Sequence, residues 1–374
     1  MPNQVEVIRH SRPRAEADWE CPRKLYYLRE FDGIGLNPDI ESLEMFFGSS
    51  IHDGLAAIAS MHPKVDIDAI GEAAFQQVKE NLVKNGVGTD EEVDNFSSEQ
   101  ACLAEGLLRG FYKHAWPGLL RRYPKIVAVE RDVIFKHTFE GLSDPAGLFE
   151  FHAKPDLILS TEDGSEVIYN EYKTSSNKKE QWINSWDKSI QAHATLAAIN
   201  QTLGLDLAGI IVQGLYKGYA SYGKLSTPLA YAYHRYGNPP FTKTETIYEW
   251  KAGFKKYPVW HLEGGVKKWI ESMPEEVLME QFPCTPLIFP DEDLITRFFK
   301  QRAIRETEVK AASKLIQDET LAKPIRDYAL DHTFPQHFNK CKPAWGFECA
   351  FQQLCHGQVN DPVKAGFTYR EKRY

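Results

Sequence analysis

The sequence predicts an α/β fold, in which a mixed sheet is flanked by helices, with an N-terminal helical lobe and a C-terminal helical segment that carries a cysteine cluster. Residues 12–122 place apolar side chains mainly at helical spacing, whereas the middle third is rich in β-branched residues. The chain has 374 residues and 43% hydrophobic content, enough for one large or two modest cores. We expect three segments of one integrated domain, at residues 1–122, 123–250 and 251–374.

The helical lobe is predicted from spacings of three and four between apolar residues. This pattern covers residues 41–60 and 97–121. Ser97 and Ser98, followed by Glu99 and Gln100, are typical of a capped helix start. We therefore expect the second of these helices to begin there.

The sheet is predicted from apolar runs that turn residues separate. Strands are expected at residues 126–135, 148–159, 167–173 and 207–215, a helix at 187–201, and helices with loops beyond, including a charged stretch at 291–318. Asp163 and Gly164 form a favourable hairpin dipeptide between two of the strands. Asp156 then lies on one strand of a hairpin, and Glu171 and Lys173 lie on its neighbour.

Side chains of a strand alternate between its faces, so Glu171 and Lys173 point one way and Tyr172 the other. An acid and a base therefore share one face. Taken alone, the three charged residues are compatible with an ordinary ion pair on a half-buried sheet.

The order of motifs favours a catalytic interpretation. Pro155-Asp156, 14 intervening residues and Glu171-Tyr172-Lys173 resemble the signature of the PD-(D/E)XK nuclease superfamily, which has a restriction-endonuclease-like fold. Upstream, CPRKLYYLRE and FFGSSIHDGL resemble the N-terminal helices of its RecB-type exonuclease branch, and downstream WDKSIQ resembles its glutamine-bearing helix. This resemblance covers roughly residues 11–215 together with the C-terminal cysteines.

The resemblance implies a set of site residues for a metal-dependent phosphodiester hydrolase. Asp156 and Glu171 would bind Mg²⁺ or Mn²⁺, and Lys173 would orient the attacking water. Further implied residues are His52 as an additional metal ligand, the backbone carbonyl of Tyr172 as another, Gln191 as a catalytic residue and Glu130 as a weaker candidate. An imidazole among oxygen donors tilts the preference toward Mn²⁺.

These additional residues also have ordinary interpretations. His52 is compatible with a histidine at the edge of a core, Gln191 with a polar helix residue, and Glu130 with a partner for Arg131. In the family, a tyrosine follows the glutamine, but here that spacing ends at Thr195.

The cysteines form a second group. Cys21, Cys341, Cys349 and Cys355 resemble the set that holds [4Fe-4S] in iron-sulfur RecB-type nucleases, including CRISPR-adaptation and phage nucleases. That family's C-x₂-C-x₅-C spacing would need a cysteine at position 346, where this chain has Gly346, so Cys341 must substitute. Zinc and buried free thiols are the alternatives, and Cys102 and Cys284 lie outside the pattern.

Together these patterns predict a DNA nuclease, most simply an exonuclease of recombination, repair or phage DNA metabolism that acts on single strands or duplex ends. An endonuclease of restriction or CRISPR-adaptation type and a non-cleaving nucleic-acid-binding scaffold are the alternatives. The net charge of −8 argues against a bulk electrostatic grip on DNA, so we expect a local groove in which Lys178, Lys179 and a base-stacking Trp182 take part. An ordinary solvated loop is the alternative for these residues.

Three further expectations concern partners and location. No P-loop motif occurs, so unwinding would need a separate helicase, and a recombinase is another candidate partner. No apolar run approaches the roughly 20 residues of a membrane helix, and the first residues lack the apolar region of a signal peptide. We therefore expect a cytoplasmic protein that makes no membrane contact.

Overall fold

A computed structural model describes residues 7–38, 43–84, 91–138, 148–175, 179–217, 281–341, 349–359 and 361–370. Within these ranges the predicted mixed α/β fold, with sheets flanked by helices, is confirmed. None of the described helices has the length and apolar content needed to cross a bilayer.

Helices dominate the N-terminal third, as predicted. They are α1 (Arg12–Glu20), α2 (Pro22–Leu25), α3 (Leu43–Met61), α4 (Ile67–Lys84), α5 (Glu91–Gly110) and α6 (Trp116–Arg122), with π-helical turns at Tyr26–Glu30 and Phe111–Ala115 and a 3₁₀ turn at Phe31–Gly33. The helix start expected at Ser97 is wrong, because α5 already begins at Glu91. Serine lowers helix stability only slightly, so the helix continues through Ser97 and Ser98 although their pattern is typical of a helix start.

Later elements alternate between strands and helices. The strands are β1 (Val7–Ser11), β2 (Leu36–Pro38), β3 (Lys125–Val129), β4 (Val133–Thr138), β5 (Leu148–Ala153), β6 (Leu157–Ser160), β7 (Val167–Ser175), β8 (Gly209–Tyr216) and β9 (Phe367–Tyr369). The helices are α7 (Lys179–Asn184), α8 (Ile190–Leu203), α9 (Glu292–Gln317), α10 (Lys323–Thr333) and α11 (Gln352–Cys355).

The central sheet has four strands in the order β3-β6-β7-β8. Strands β6 and β7 form the expected hairpin, with Gly164 in the left-handed region at φ +74°. Their register pairs Leu157 with Asn170, so Asp156 comes opposite Glu171 in the next pair. Strand β8 runs parallel to β7, and the chain between them contains α7 and α8.

Two predicted strands are in fact divided. Residues 126–135 split into β3, which pairs with β6, and β4, which pairs with β5 in a separate three-stranded sheet. Glu130 lies directly after β3, where its left-handed backbone at φ +48° turns the chain away from the strand. Residues 148–159 split at Lys154 and Pro155, because proline has no N–H to donate to a strand ladder.

Each face of the central sheet is covered by its own core. On one face, Leu157, Leu159 and Tyr172 pack with buried residues of α3, α4 and α5. On the other, Ile158 and Tyr169 pack with residues of α8, α9 and the three-stranded sheet. Alternation along the strands therefore produces two layers of helices around one sheet.

A third core joins the two ends of the described chain. Leu25 and Tyr27 pack with Val309, Phe334 and Phe351, and the nearby strands β2 and β9 pair antiparallel. Strand β1 pairs with β5 of the predicted middle segment. Contacts therefore cross the expected segment boundaries, and the division into three segments stays a prediction.

Candidate functional site

A cluster of charged side chains lies where β3 ends and β6 begins. Asp156, directly before β6, is buried, and its two carboxylate oxygens have different partners. Oδ1 lies 2.9 Å from Nδ1 of His52, and Oδ2 accepts a 2.7 Å hydrogen bond from the backbone N–H of Tyr172 on β7. The hairpin therefore fixes this carboxylate against the neighbouring strand.

His52 reaches the cluster from α3. This helix buries Phe47, Ile51, Leu55 and Ile58 in the core, and His52 follows Ile51 at the edge of that stripe. The apolar spacing of the helix thus directs the imidazole toward the sheet.

The contact with Asp156 changes the proton affinity of both partners. Burial lowers the pKa of His52, but the hydrogen bond and the negative charge of Asp156 outweigh it, so the pKa is raised above its usual value. Burial raises the pKa of Asp156, but His52, Lys173 and the Tyr172 N–H together lower it by more, so the net pKa lies below its usual value. The two groups therefore favour an ion pair.

Glu130 completes a ligand set that the sequence only weakly indicated. Its N–H donates a 3.1 Å hydrogen bond to the Asp156 carbonyl, which fixes the left-handed turn beside β6. One ligand atom each from His52, Glu130 and Asp156 all lie within 4.8 Å of one another. Across the described residues, no other three histidine, cysteine or carboxylate groups lie so close together.

Glu171 and Lys173 lie beside this set on β7, and they share a face as predicted. The Lys173 ammonium contacts Glu171 Oε1, and the Gln191 amide donates a 2.5 Å hydrogen bond to the same oxygen. Gln191 is held in the first turn of α8, whose N-cap is Ser189. The structure therefore brings Gln191 next to Glu171 across 20 positions of sequence.

Tyr172 points to the opposite face, where its ring packs edge-on against Phe111 with centroids 5.5 Å apart. Burial and the charge of Asp156 raise its phenolic pKa well above the usual value. The use of its backbone carbonyl as a metal ligand stays a prediction. At the position where the family has a tyrosine, Thr195 is buried on α8.

The donor set fits a hard divalent ion. Two carboxylates and an imidazole converge, and such oxygen-rich sets suit Mg²⁺ and Mn²⁺. The imidazole in particular favours Mn²⁺ over Mg²⁺. The arrangement can hold a cation next to Glu171 and Lys173.

Sequence reasoning missed Lys154 at this site. Its ammonium contacts Glu130 Oε2 at the cluster, although more than half of the side chain is exposed. The available signal was its position two residues before Asp156, at the point where β5 ends.

The expected base-stacking role of Trp182 is wrong. Its side chain is only 5% exposed and packs against Trp186 and Tyr216 in the core. An indole ring buries a large apolar area when it packs in a core, and this gain keeps Trp182 inside the protein and away from a substrate groove. Lys178 and the side chain of Lys179 lie outside the described residues.

The predicted cysteines also converge. Cys21 lies between α1 and α2, Cys341 follows a 3₁₀ turn at Phe338–Lys340, and Cys355 ends α11. The Cys349 N–H donates to the Cys341 carbonyl at 2.9 Å, and the His337 N–H points at the Cys21 sulfur at 3.5 Å.

The thiols of this cysteine group raise one another's pKa. The pKa of Cys355 is raised to about 11, mainly by burial; the charge of Arg23 lowers it, and the neighbouring thiols of Cys341, Cys21 and Cys349 add to the rise. All four are free thiols, as is Cys284, which lies at the edge of β8. Clustered thiols of this kind suit soft metals or an iron-sulfur cluster.

Comparison with known proteins identifies the family. A model of the PD-(D/E)XK nuclease superfamily matches residues 11–356, which include both the charged cluster and all four grouped cysteines. No curated protein matches the chain significantly.

Proposed function

The chain belongs to the PD-(D/E)XK nuclease superfamily, and on this premise we propose that it is a divalent-metal-dependent DNA nuclease, most simply an exonuclease. The observation that carries the proposal is the approach of His52, Glu130 and Asp156 to within 4.8 Å, with Glu171 and Lys173 on the adjoining strand. Phosphodiester hydrolysis needs both charge neutralisation and a positioned nucleophile, and this cluster offers groups for each.

The residues are assigned as follows. Asp156, Glu130 and His52 would hold the cation, which when bound acts as a Lewis acid on the phosphate and promotes deprotonation of the attacking water. Glu171 is the further ligand expected from the hairpin. Lys173 orients the water with its ammonium, and Gln191 fixes the Glu171 carboxylate through their 2.5 Å hydrogen bond.

DNA as the substrate and the RecB-type branch rest on the sequence motifs. The motif CPRKLYYLRE forms α2 and the π-helical turn after it, and the histidine of FFGSSIHDGL lies in the cluster. A chain of net charge −8 needs a local binding surface. Any ATP-driven unwinding would need a separate helicase, and a recombinase is another candidate partner.

Two other functions are distinguishable by experiment. An endonuclease of restriction or CRISPR-adaptation type would use the same residues on internal sites. A scaffold that binds nucleic acid without cutting would have no chemical need for Lys173 beside Glu171.

The test is incubation of purified protein with end-labelled linear and circular DNA, single- and double-stranded, with Mn²⁺, Mg²⁺ or EDTA. Metal-dependent loss of linear but not circular DNA supports the exonuclease. Cleavage of circles supports the endonuclease, and binding without cleavage in every metal contradicts a nuclease.

We also propose that Cys21, Cys341, Cys349 and Cys355 hold one [4Fe-4S] cluster. Their convergence supports a shared centre, and Arg23 and Lys24 lie near Cys355 and Cys349, where positive charge offsets that of thiolates. A single zinc ion is the alternative occupant of the same four free thiols. The likeness of the cysteine set to that of iron-sulfur RecB-type nucleases favours the cluster.

Anaerobic purification tests this assignment. Brown protein with about four irons per chain supports [4Fe-4S]. Colourless protein with one zinc per chain would show that the four cysteines bind zinc. Stable protein without metal would show that they are buried free thiols.

A further inference from the structure

Lys154 is a second lysine at the charged cluster, and the catalytic assignments above leave it unused. Its ammonium contacts Glu130 Oε2, while 53% of its side chain is exposed. The charges of Asp132 and Asp53 also act on this ammonium. Lys154 is therefore a half-exposed cation held by acidic groups at the edge of the cluster.

The partner of Lys154 is itself one of the three candidate metal ligands. The Glu130 carboxylate lies within 4.8 Å of the ligand atoms of His52 and Asp156. A divalent ion on this carboxylate and an ammonium in contact with it would repel each other at short range. The two cations therefore compete for Glu130.

We propose that Lys154 is a substrate-positioning residue, whose ammonium occupies Glu130 without metal and moves to a phosphate of the nucleic acid when a divalent ion takes that carboxylate. This inference rests on the proposed function of the cluster. Metal binding and substrate binding are thereby coupled through one side chain.

Lys154 differs in this respect from Lys173. The Lys173 side chain is 17% exposed, and its partner Glu171 is buried, so this pair has little access to solvent. The pair of Lys154 and Glu130 is partly open to solvent, where an ion pair adds little stability and exchange costs little. A permanent structural bridge is the alternative, and it predicts no response to metal.

The first test measures Mn²⁺ binding without nucleic acid, by the electron paramagnetic resonance signal of free Mn²⁺. Lys154→Met keeps the aliphatic stem and removes the competing charge, so Mn²⁺ should bind about two- to fivefold more tightly, the range expected for loss of a half-exposed ion pair. Glu130→Gln should weaken binding. Unchanged or weaker binding in Lys154→Met overturns the proposal.

Lys125→Met is the matched control. Lys125 is 52% exposed and lies 3.9 Å from a Glu162 carboxylate oxygen, but it starts β3, whereas Glu130 follows the end of that strand. Its substitution should leave Mn²⁺ affinity unchanged. An equal gain in both variants would show a general charge effect and overturn the specific role.

The second test measures binding of a fluorescent single-stranded oligonucleotide with Ca²⁺ or with EDTA, across a salt series. With Ca²⁺, Lys154→Met should bind the oligonucleotide more weakly than wild type, and the slope of log K against log salt concentration should become shallower by about 0.7, the value for one phosphate contact. With EDTA, both the affinity and the slope should match wild type. Equal slopes for both proteins in Ca²⁺ overturn the proposal, as does an equal loss in Ca²⁺ and EDTA.

The Mn²⁺ titration distinguishes loss of the metal site from loss of the Lys154 role. Wild-type protein that binds no Mn²⁺ contradicts the proposed function and this inference with it. Wild-type binding with unchanged Lys154→Met affinity contradicts the role of Lys154 alone.

Discussion

The charged cluster and the cysteine group differ in how the chain builds them. The cluster takes His52 from a helix and Glu130 and Asp156 from positions next to two strands, and two of these three donors are carboxylates. The cysteine group takes one residue from the start of the chain and three from beyond position 340, and its donors are sulfurs. One group is set on the central sheet, whereas the other lies beside the core that joins the two chain ends.

We propose that the two groups use metal in different ways. Hard oxygen ligands beside a lysine suit an exchangeable ion that takes part in chemistry. Soft sulfur ligands more than 300 positions apart suit a fixed cross-link, because closing a long loop restricts the unfolded chain most. Loss of the first ion should remove activity, and loss of the second should remove stability.

The largest expected effect is on cleavage. Asp156→Asn and Lys173→Met should each lower the single-turnover rate constant of cleavage by a thousandfold or more, since the proposed catalysis depends on both, and a factor of a thousand is about 4 kcal/mol of transition-state stabilisation. Single-turnover cleavage of labelled DNA in Mn²⁺ measures this.

Glu162→Gln is the control for these variants, because Glu162 lies on the same hairpin and its side chain is 80% exposed. It should cleave like wild type. Full activity in Lys173→Met would remove this residue from the mechanism, and the iron content should stay the same in all three variants.

The next largest effect is on stability. Cys21→Ser, Cys349→Ser or Cys355→Ser should lose the brown colour and lower the unfolding midpoint by roughly 4 °C, taking about 3 kcal/mol for a lost long-range cross-link in a chain of 374 residues. Thermal unfolding followed by circular dichroism measures this change.

Cys284→Ser should change neither colour nor midpoint, because this thiol lies apart from the group. EDTA should abolish cleavage in wild type with a far smaller change in midpoint. A large EDTA-induced loss of stability with an intact cluster would contradict the division of roles.

A smaller effect concerns pH. Because Asp156 raises the pKa of His52 above the usual 6.5, the imidazole stays protonated to a higher pH than a free histidine does. It must lose that proton before it can bind a metal ion. Mn²⁺ affinity should therefore rise by up to tenfold per pH unit until the pH passes the raised pKa. Titration at several pH values tests this, and His52→Gln should flatten the dependence.

The same linkage acts on the metal-free protein. The ion pair of His52 and Asp156 contributes stability that is fully present below pH 6.5 and is lost as the pH rises through the raised pKa of His52. Urea unfolding in EDTA at a series of pH values should show this loss in wild type and not in His52→Gln.

The smallest expected effect comes from the packing of α3. A Cβ at Gly54 would lie 2.4 Å from Leu108 Cδ1 on α5, so Gly54→Ala should destabilise the protein by about 1 to 2 kcal/mol and displace His52 slightly. Mn²⁺ affinity should fall by less than about tenfold, since each tenfold is about 1.4 kcal/mol. Urea unfolding and Mn²⁺ titration measure both.

Gly48→Ala on the same helix is the control, because a Cβ there meets nothing within 4 Å. It should leave metal binding unchanged and be neutral or stabilising, as alanine favours helix over glycine. Equal losses in both variants would show that the helix backbone, and not its packing, sets the position of His52.

The sequence predicted those parts of the molecule that local rules determine. The turn at Gly164 and the alternation along β7 were enough to place Asp156, Glu171 and Lys173 together, and the apolar stripe of α3 was enough to expect a helix around His52. Periodicity and turn chemistry are properties of short segments, so they can be interpreted without tertiary information.

The remaining features depend on contacts distant in sequence. Glu130 adopts a left-handed backbone although no glycine or proline marks the break, because its N–H bonds to the Asp156 carbonyl. Trp182 is buried by Trp186 and Tyr216, and Lys154 has its partner only once β3 lies beside β6. Tertiary packing thus outweighed the local signals at these residues.

The proposed function requires that one hard metal ion binds where His52, Glu130 and Asp156 meet. Diffraction from Mn²⁺-soaked crystals, recorded at the manganese absorption edge, tests it most directly. We predict one anomalous peak in contact with His52 Nδ1 or Nε2 and with carboxylate oxygens of Glu130 and Asp156, lost in crystals of Asp156→Asn. A fully occupied manganese peak elsewhere, with none at these three residues, would contradict the claim.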